Sequence, residues 1–292
     1  MAANLQLLKR RINTSKNIAQ IAKAMETISA SKIKKAQDAA NGNKPYAQKI
    51  LELAAKCMDQ LKDKKFSHPY MKLPKNKSKL YVVITPDKGL CGALNTNLYK
   101  KMLEVDSNNA IYIVLGKKAE QFSTKLLGNV HASFKMGTSL SGYSTVIQVK
   151  SLLDNLLKTA KISEAYLLYA EFDSILTQLP VVKKLLPLNL EIIGARSEKD
   201  GFPGGNETLF EPNAEDFLME LLPKYIETQI FNALIQAFTS EQAARMMAMQ
   251  NAKNNAFDIA EYLTLSYNKS RQERITNEIL DIGSGFFGIK NE

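Results

Sequence analysis

The stretch SEQAARMMAMQNAKNNAFDIAEYLTLSYNKSRQERITNEILDI, residues 240–282, decides how the rest of the chain can fold. It contains no proline and no glycine, and good helix formers dominate its first half. Apolar or small residues recur at alternating intervals of three and four, which is typical of a helix that pairs with another helix along one seam. The predicted seam consists of Met249, Ala252, Ala256, Ile259 and Leu263, and Ile275, Ile279 and Ile282 resume the rhythm.

This helix is expected to begin well upstream, at about residue 212. Pro212 and Asn213 precede two acidic residues, which the helix dipole favours in a first turn. Pro223 is expected to bend or restart the helix, and the next breakers are Gly283 and Gly285. The result is a helix of roughly 60–70 residues, about 90–105 Å long at 1.5 Å per residue. A helix of that length requires a partner alongside it, because it cannot bury itself in a globule.

The N-terminal segment is the expected partner, since its apolar residues follow helical spacing from residue 3 to about residue 58. Small residues accumulate along it, and small residues in a seam let two helices approach closely. The sequence Asn41-Gly42-Asn43 and the nearby Pro45 predict a kink or a break near residues 42–45.

Between these helices, apolar segments rich in β-branched residues alternate with helical ones, which predicts an α/β domain with a mainly parallel sheet. Strands are predicted at 80–86, 111–116, 129–134 and 164–172, and an edge strand at 179–188 because its prolines suit an edge. The predicted fold class is therefore an α/β domain inserted between two long terminal helices that form an antiparallel coiled coil. Its boundaries are residues 1–58 for the N-terminal helix, 78–195 for the α/β domain and 212–286 for the C-terminal helix.

Composition limits the function further. The chain has 292 residues and a formal net charge of +10, which implies an acidic partner: nucleic acid, an anionic membrane or an acidic protein surface. No apolar run reaches the length of about 18 residues that marks a transmembrane helix, and the N-terminus lacks the apolar core of a signal peptide. Two distant cysteines and two histidines argue against a disulfide scaffold and a histidine-based metal site. Because Ser/His/Asp order, HExxH and CxxC are all missing, the chain is expected not to be an enzyme.

Three parts of the sequence carry a resemblance to a known family. They are IAKAMETISASKIKKAQ at 21–37, TPDKGLCGALNTNL at 85–98, and SEQAARMMAM at 240–249 followed by YNKSRQERITNEILDI at 267–282. These segments resemble the gamma subunit of the F-type ATP synthase, its rotating central stalk, and the resemblance runs along nearly the whole chain. It implies that the α/β domain is a Rossmann-like foot and that the paired helices form a rod.

The same resemblance implies a set of partners. The rod would penetrate a ring of three alpha and three beta subunits, and the foot would dock on the c-ring together with the epsilon subunit. Proton flow would turn this rotor and drive ATP synthesis on the ring. ATP, ADP and magnesium would bind to the alpha and beta subunits, so no cofactor is expected on this chain. The chain would be a peripheral protein on the cytoplasmic side of the bacterial inner membrane, held there through the complex, with an organellar inner membrane as the less favoured alternative.

The resemblance also carries over individual residues. Those expected to contact the ring and transmit torque are Lys23, Met25, Arg245, Gln272 and Thr276, and those of the foot-domain loop are Gly89, Leu90, Cys91 and Gly92. Taken alone, a glycine-bearing turn between a strand and a helix could cradle a phosphate. This loop lacks the GxxxxGK[ST] pattern, so a tight structural turn is the favoured interpretation.

Two other functions stay open on the sequence alone. Residues 1–37 carry eight lysines and arginines against one acidic residue, Glu26, which is compatible with a coiled-coil adaptor that binds nucleic acid. Against it, residues 1–45 lack the aromatic side chains that stack on bases, and no nucleic-acid partner is expected. The second is a nucleotide-dependent α/β enzyme, which would depend on the loop at Gly89.

Overall fold

The computed structural model of the chain describes residues 2–61, 66–74, 78–105, 109–126, 128–188 and 209–288. In chain order its elements are α1 (Ala2–Gln60), β1 (Lys79–Ile84), α2 (Leu94–Glu104), β2 (Ala110–Leu115), α3 (Lys117–Leu126), β3 (Val130–Phe134), α4 (Tyr143–Lys158), β4 (Glu164–Phe172), β5 (Gln178–Leu186) and α5 (Ala214–Gly288). The predicted fold class is confirmed, because a mainly parallel sheet lies in the chain between two long terminal helices. The predicted domain boundary at residue 195 lies outside the described residues.

The sheet has five strands in the order β3-β2-β1-β4-β5. Strand β1 pairs in parallel with β2 and β4, and β2 pairs in parallel with β3. Strand β5 runs antiparallel to β4 at the edge and carries Pro180, which an edge strand tolerates, so the predicted edge position is confirmed. The carboxyl ends of the four parallel strands therefore meet at one edge of the sheet, and the loops that follow them lie there.

Alternate residues of β1 face opposite sides of the sheet and join two separate hydrophobic clusters. Leu80, Val82 and Ile84 pack with residues from α1, α4 and α5. Tyr81 and Val83 pack mainly with residues from α2 and α3. Burial on both faces explains why this strand is a continuous apolar run instead of an alternating one.

Of the predicted kink or break near residues 42–45, the break is wrong, since α1 is helical over Ala2–Gln60 with Pro45 inside it. Close to the proline, the Asn43 side-chain amide donates to Asn232 Oδ1 of α5 at 2.7 Å. After it, Ala54 is buried in the hydrophobic core. Tertiary packing here outweighs the local preference against a helix, because propensity is only a weak bias.

Helix α5 extends over 75 residues, Ala214–Gly288. It begins where the sequence predicts, and Asn213 Oδ1 accepts a hydrogen bond from the Asp216 backbone N–H at 2.9 Å as an N-cap. It continues through Pro223 and past the glycines at 283 and 285 to Gly288, two residues beyond the predicted boundary at 286. Each glycine costs only about 1 kcal/mol in a helix, and extending an existing helix is far easier than nucleating one.

Contacts divide the chain into two compact units, which are Ala30–Arg245 and Met1–Ser29 with Met246–Glu292. The first, which we call the α/β unit, holds the whole sheet together with α1 from residue 30 and α5 up to residue 245. The second, which we call the helical unit, consists of the two chain ends.

In the helical unit, small side chains fill the seam where α1 and α5 meet. Ala19, Ala22 and Ser29 are buried on α1, and Ala256 and Ala260 are buried on α5. Small residues at such positions let the two helix backbones approach each other closely, as the sequence predicts.

The predicted seam is confirmed at Met249 and Ala256 but is wrong at Ile259, which is 52% exposed while Ala260 is 3% exposed. Lys253 also reaches α1, where its Nζ lies 2.8 Å from Glu26 Oε2, and Ala252 is half-buried. The predicted seam through Ile259 and the observed seam through Ala260 both have apolar residues at alternating intervals of three and four. One residue separates these two positions, which is a rotation of about 100° around the helix axis. Hydrophobicity alone favours isoleucine in the seam, whereas close packing of two helices favours alanine.

Candidate functional site

The first candidate region is the loop between β1 and α2, residues 85–93, at the carboxyl edge of the sheet. Leu90 and Gly92 adopt left-handed backbone conformations with φ angles of 61° and 57°. An added Cβ at Gly89 would meet no atom within 4 Å, and Gly89 has no left-handed φ. The turn therefore requires glycine at residue 92 only, and it holds Leu90 in a conformation that L-residues rarely adopt.

Asp87 connects this loop to the two loops that follow β2 and β3. Its Oδ1 accepts a hydrogen bond from the Lys117 backbone N–H at 2.7 Å, and its Oδ2 accepts one from the Gly137 N–H at 2.6 Å. Thr85 Oγ1 accepts a further bond from the Ala119 N–H at 2.9 Å. The N-terminus of α3, where a phosphate could otherwise bind, is thus occupied by side chains of the chain itself.

Gly116 lets the ends of β1 and β2 come together. Its φ is 107°, and a Cβ at this position would lie 1.9 Å from the Thr85 carbonyl oxygen. The sequence analysis missed this residue, since the only signal is a glycine that follows a predicted strand.

Cys91 is 1% exposed, and the Asn95 side-chain amide lies 3.3 Å from its Sγ. Burial raises the pKa of the Cys91 thiol, while the Arg245 guanidinium opposes that shift. A buried thiol with a raised pKa is a poor nucleophile, so Cys91 acts in packing.

Arg245 reaches this loop from α5. Its Nη1 lies 2.7 Å from Glu241 Oε1, and its Nη2 donates to the Gly89 carbonyl oxygen at 3.4 Å. Arg245 is 8% exposed. Burial raises the pKa of the Glu241 carboxyl, and the Arg245 guanidinium opposes that shift. The predicted ring contact of Arg245 stays a prediction, and within the chain its guanidinium is engaged with its own loop.

Ser240 lies one residue before Glu241 and binds the sheet directly. Its Oγ donates to the Ala170 carbonyl oxygen of β4 at 2.9 Å. The SEQAAR segment therefore attaches α5 to β4 and to the loop that follows β1. The sequence analysis missed the roles of Ser240 and Glu241, because a polar run on a long helix gives no sign of which side is buried.

A small cavity lies beside this loop, lined by Thr85, Leu94, Phe238 and Glu241 among others. Its volume is about 10 Å³, which is close to the space that one water molecule needs. Ligand sites of nucleotide size are typically about 300 Å³ or larger. The loop at Gly89 thus has the geometry of a tight structural turn.

The second candidate region is the surface of the helical unit, which holds the other predicted ring contacts. Lys23, Gln272 and Thr276 are exposed and Met25 is half-buried. The Thr276 hydroxyl donates to the Gln272 carbonyl oxygen at 3.0 Å. The predicted contacts on α1, Lys23 and Met25, are far from those on α5, Gln272 and Thr276. Lys253 of α5 faces Glu26, next to Met25, and Gln272 lies about 28 Å further along α5. Their contact with a ring stays a prediction.

Many large apolar side chains of the helical unit are exposed, although most of the side chains in its seam are small. On α1, Ile18, Ile21 and Ile28 are 50%, 61% and 55% exposed. Together with Met25 they recur at intervals of three and four, one residue before the buried seam positions, so they form a stripe beside the seam. On α5 the exposed large apolar residues include Phe257, Ile259, Tyr262, Leu265, Ile275 and Ile279. We call these side chains on both helices the apolar surface.

Within the described ranges, no three His, Cys, Asp or Glu side chains are placed to hold a metal ion. Among the same residues, no helix has the length and apolar character needed to span a membrane.

Comparison with known proteins places the chain in a family. A family model described as ATP synthase matches residues 4–288. The ATP synthase gamma chain of Dehalococcoides mccartyi is 36% identical over 289 residues, covering 97% of this chain and 98% of that relative. The chain belongs to the ATP synthase gamma chain family. The gamma chain of Brevibacillus brevis is likewise 36% identical, over 296 residues and 98% of each chain.

Chains in solved structures of ATP synthases share the fold. A chain from the rotor of the Euglena gracilis mitochondrial ATP synthase gives a TM-score of 0.66 at 21% identity, covering 94% of this chain and 100% of its own length. A chain from the central stalk and c-ring of the Tetrahymena thermophila enzyme gives a TM-score of 0.58 at 25% identity, covering 80% and 99%. The resemblance inferred from the sequence segments is therefore confirmed at the level of family and fold.

Proposed function

We propose that this chain is the rotating central stalk of an F-type ATP synthase, which couples proton flow through the membrane sector to ATP synthesis on a ring of alpha and beta subunits. Its further partners in this role are the epsilon subunit and the c-ring. Family membership is the basis of the proposal. The observation that carries it is the apolar surface of the helical unit.

That surface is unusual for a chain that works alone. Monomeric soluble proteins rarely expose a large contiguous apolar patch, and such patches commonly mark interaction sites. Most of the side chains that the helical unit buries are alanine or serine, Ile12 and Met249 being larger, and many of its isoleucine, phenylalanine, tyrosine and leucine side chains are exposed. A surrounding ring of subunits would cover these side chains. Apolar contacts are not directional, so they suit an axle that must turn inside the ring without a strongly preferred angle.

Charge on α1 complements this surface. Lys9, Arg10, Arg11, Lys16 and Lys23 are all exposed on the N-terminal part of the helix. Exposed basic residues favour an acidic partner and speed its encounter with the chain. In the proposed role that partner is an acidic segment of the ring, and no nucleic acid is involved.

The chain itself is proposed to be non-catalytic, with ATP, ADP and magnesium bound by the alpha and beta subunits. The engagement of Asp87 and Arg245 within the chain supports this, because both groups at the sheet edge are already used. We place the chain at the membrane as a peripheral subunit on the cytoplasmic side of the bacterial inner membrane, held there through the complex.

The test is to produce the tagged chain together with alpha, beta and epsilon subunits and the membrane sector of the same source. The wild-type chain should recover alpha and beta in threefold excess, with magnesium-dependent ATPase activity and ATP-driven proton pumping. The variant Ile18→Ser/Ile21→Ser/Ile28→Ser should recover less ring or pump fewer protons per ATP. Its folding should change little, because all three side chains are exposed.

A matched control is Leu103→Ser, since Leu103 is 59% exposed on α2 of the α/β unit and outside the apolar surface. If the triple variant and this control behaved alike, the apolar surface would not be the ring contact. Recovery of nucleic acid without ring subunits would refute the proposed function and favour the basic coiled-coil adaptor.

A further inference from the structure

We propose that Glu241 and Arg245 form a latch that fixes the β1–α2 loop to helix α5, so that the loop and the helix move together under load. The load is the torque that the chain would transmit as the central stalk, so the mechanical role of the latch rests on the proposed function. Arg245 thereby positions the β1–α2 loop through its contacts with Glu241 and Gly89. This role is separate from its predicted contact with the ring.

The geometry of the pair fits a permanent attachment. The planar guanidinium uses one nitrogen for the Glu241 carboxylate at 2.7 Å and another for the Gly89 carbonyl oxygen at 3.4 Å. The side chains of Arg245 and Glu241 are 10% and 11% exposed, so water and salt screen the pair only weakly. The carboxylate also fixes the orientation of the guanidinium, which leaves its second edge directed at the loop.

The same helix offers a comparison at the same residue spacing. Arg274 Nε lies 2.8 Å from Glu278 Oε1, again four residues apart, but these side chains are 42% and 56% exposed. That pair is solvated and bonds along the helix surface. The Glu241–Arg245 pair differs in burial and in its link to a residue far away in sequence, and these are the features that make it a latch.

The loop that the latch holds is under strain. Gly89 directly precedes Leu90, which has a left-handed φ of 61°, a conformation that L-residues adopt at a cost. Leu90 is 63% exposed, while the next residue, Cys91, is 1% exposed. Release of the Gly89 carbonyl would let Leu90 relax to a common backbone conformation and would draw Cys91 out of the core.

The attachment point on α5 is itself anchored. The Ser240 hydroxyl donates to the Ala170 carbonyl oxygen of β4, one residue before the latch begins. Ser240, Glu241 and Arg245 thus connect α5 to β4 and to the loop that follows its neighbouring strand β1. Such a connection prevents the helix from sliding past the sheet edge when either is pushed.

Cys91 supplies a direct readout in the full-length chain. The chain has two cysteines, and both Cys57 and Cys91 are buried. Cys57 packs in the cluster on the other face of the sheet, so its reaction with a thiol reagent reports general unfolding. We would measure the modification rate of each thiol under native conditions, with the modified residue identified by mass spectrometry.

The variant Arg245→Met should raise the Cys91 rate by about tenfold or more, the range expected when a buried charge-assisted hydrogen bond is lost, and leave Cys57 protected. The double variant Glu241→Gln/Arg245→Met should do the same without an unpaired buried carboxylate. Arg245→Lys keeps the charge but not the planar fork, so it should also expose Cys91. Arg274→Met is the matched control and should change neither rate.

Unchanged Cys91 reactivity in both Arg245→Met and the double variant would overturn the latch, as would an equal rise at Cys57 and Cys91. A wild-type rate in Arg245→Lys would overturn the role of the fork. In the assembled complex, Arg245→Met should pump fewer protons per ATP than Leu103→Ser, which lies outside the predicted ring contacts, and equal pumping would overturn the mechanical part. Because the thiol rates are measured on the free chain, a failure to assemble would count against the proposed function and not against the latch.

Discussion

Helix α5 has two regions with opposite surfaces. In the α/β unit its large side chains, such as Leu222, Ile226 and Leu234, are fully buried. In the helical unit its buried residues are Met249, Ala256 and Ala260, and Tyr262 and Leu265 are exposed. One helix therefore serves as core in one region and as outer surface in the other. The difference follows from the partner, because a sheet and several helices cover α5 on many sides, whereas a single helix covers only one stripe.

The largest effect should come from disturbing the α/β unit at Gly116. Gly116→Ala places a Cβ 1.9 Å from the Thr85 carbonyl oxygen and keeps an unfavourable φ of 107°. We expect the free energy of unfolding to fall by about 3 kcal/mol or more, measured by denaturant titration of the full chain. Gly137→Ala is the control, since its φ is 73° but no atom lies within 4 Å of the added Cβ, and it should cost about 1 kcal/mol. Equal losses in the two variants would mean that the strands separate to admit a methyl group.

The next effect concerns the seam of the helical unit. Ala22 is 4% exposed and faces the partner helix, so Ala22→Leu should force α1 and α5 apart at a cost of about 1–3 kcal/mol. The neighbouring Ile21→Ala should change stability by about 0.5 kcal/mol or less, because Ile21 is largely exposed. Circular dichroism during thermal unfolding measures both. A larger loss of stability in Ile21→Ala than in Ala22→Leu would show that the bulky residues and not the small ones form the seam.

The seam of the helical unit also shows how much of the structure could be predicted from the sequence. Element order, the parallel sheet and the edge strand follow from apolar runs and prolines, which act locally. The seam residues could not be predicted in this way, because Ile259 and Ala260 both fit a spacing that alternates three and four residues. Only packing against the second helix selects alanine for the buried position. The continuation of α1 through Pro45 has the same cause, since the energy that maintains it comes from residues distant in sequence.

At the candidate site the limits of prediction are similar. The sequence identified the loop at Gly89 as a tight turn, and the left-handed φ of Gly92 agrees with that interpretation. It could not tell that Arg245 binds the Gly89 carbonyl oxygen, since the two residues are 156 positions apart in the chain. Contacts between distant segments depend on register, which single-residue preferences do not encode.

A pH-dependent effect should be confined to the α/β unit. Burial of His68 lowers the pKa of its imidazole, although a hydrogen bond to the Met219 backbone and the charge of Asp154 oppose the shift. A lowered folded-state pKa means that the stabilising contribution is fully present above the unfolded pKa of about 6.5 and is lost as the pH falls below it. We expect this part of the acid destabilisation to disappear in His68→Gln, measured by denaturant titrations between about pH 5 and 8. The exposed His131 provides the control, and an equal change in His131→Gln would contradict the assignment to His68.

The smallest effect should come from the ion pair in the seam of the helical unit. Lys253 and Glu26 have side chains about one-fifth exposed, 21% and 23%, and lie 2.8 Å apart. A double-mutant cycle with Lys253→Met and Glu26→Gln should give a coupling energy of about 0.5–1 kcal/mol, above the value of about 0.3 kcal/mol expected for the solvated Arg274–Glu278 pair. Because a polar pair at a seam position fixes the register of two helices at some cost in stability, the double variant should unfold less cooperatively even if its stability is unchanged. A coupling energy no larger than that of the solvated pair, together with an unchanged transition width, would mean that the small residues alone set the register of the helical unit.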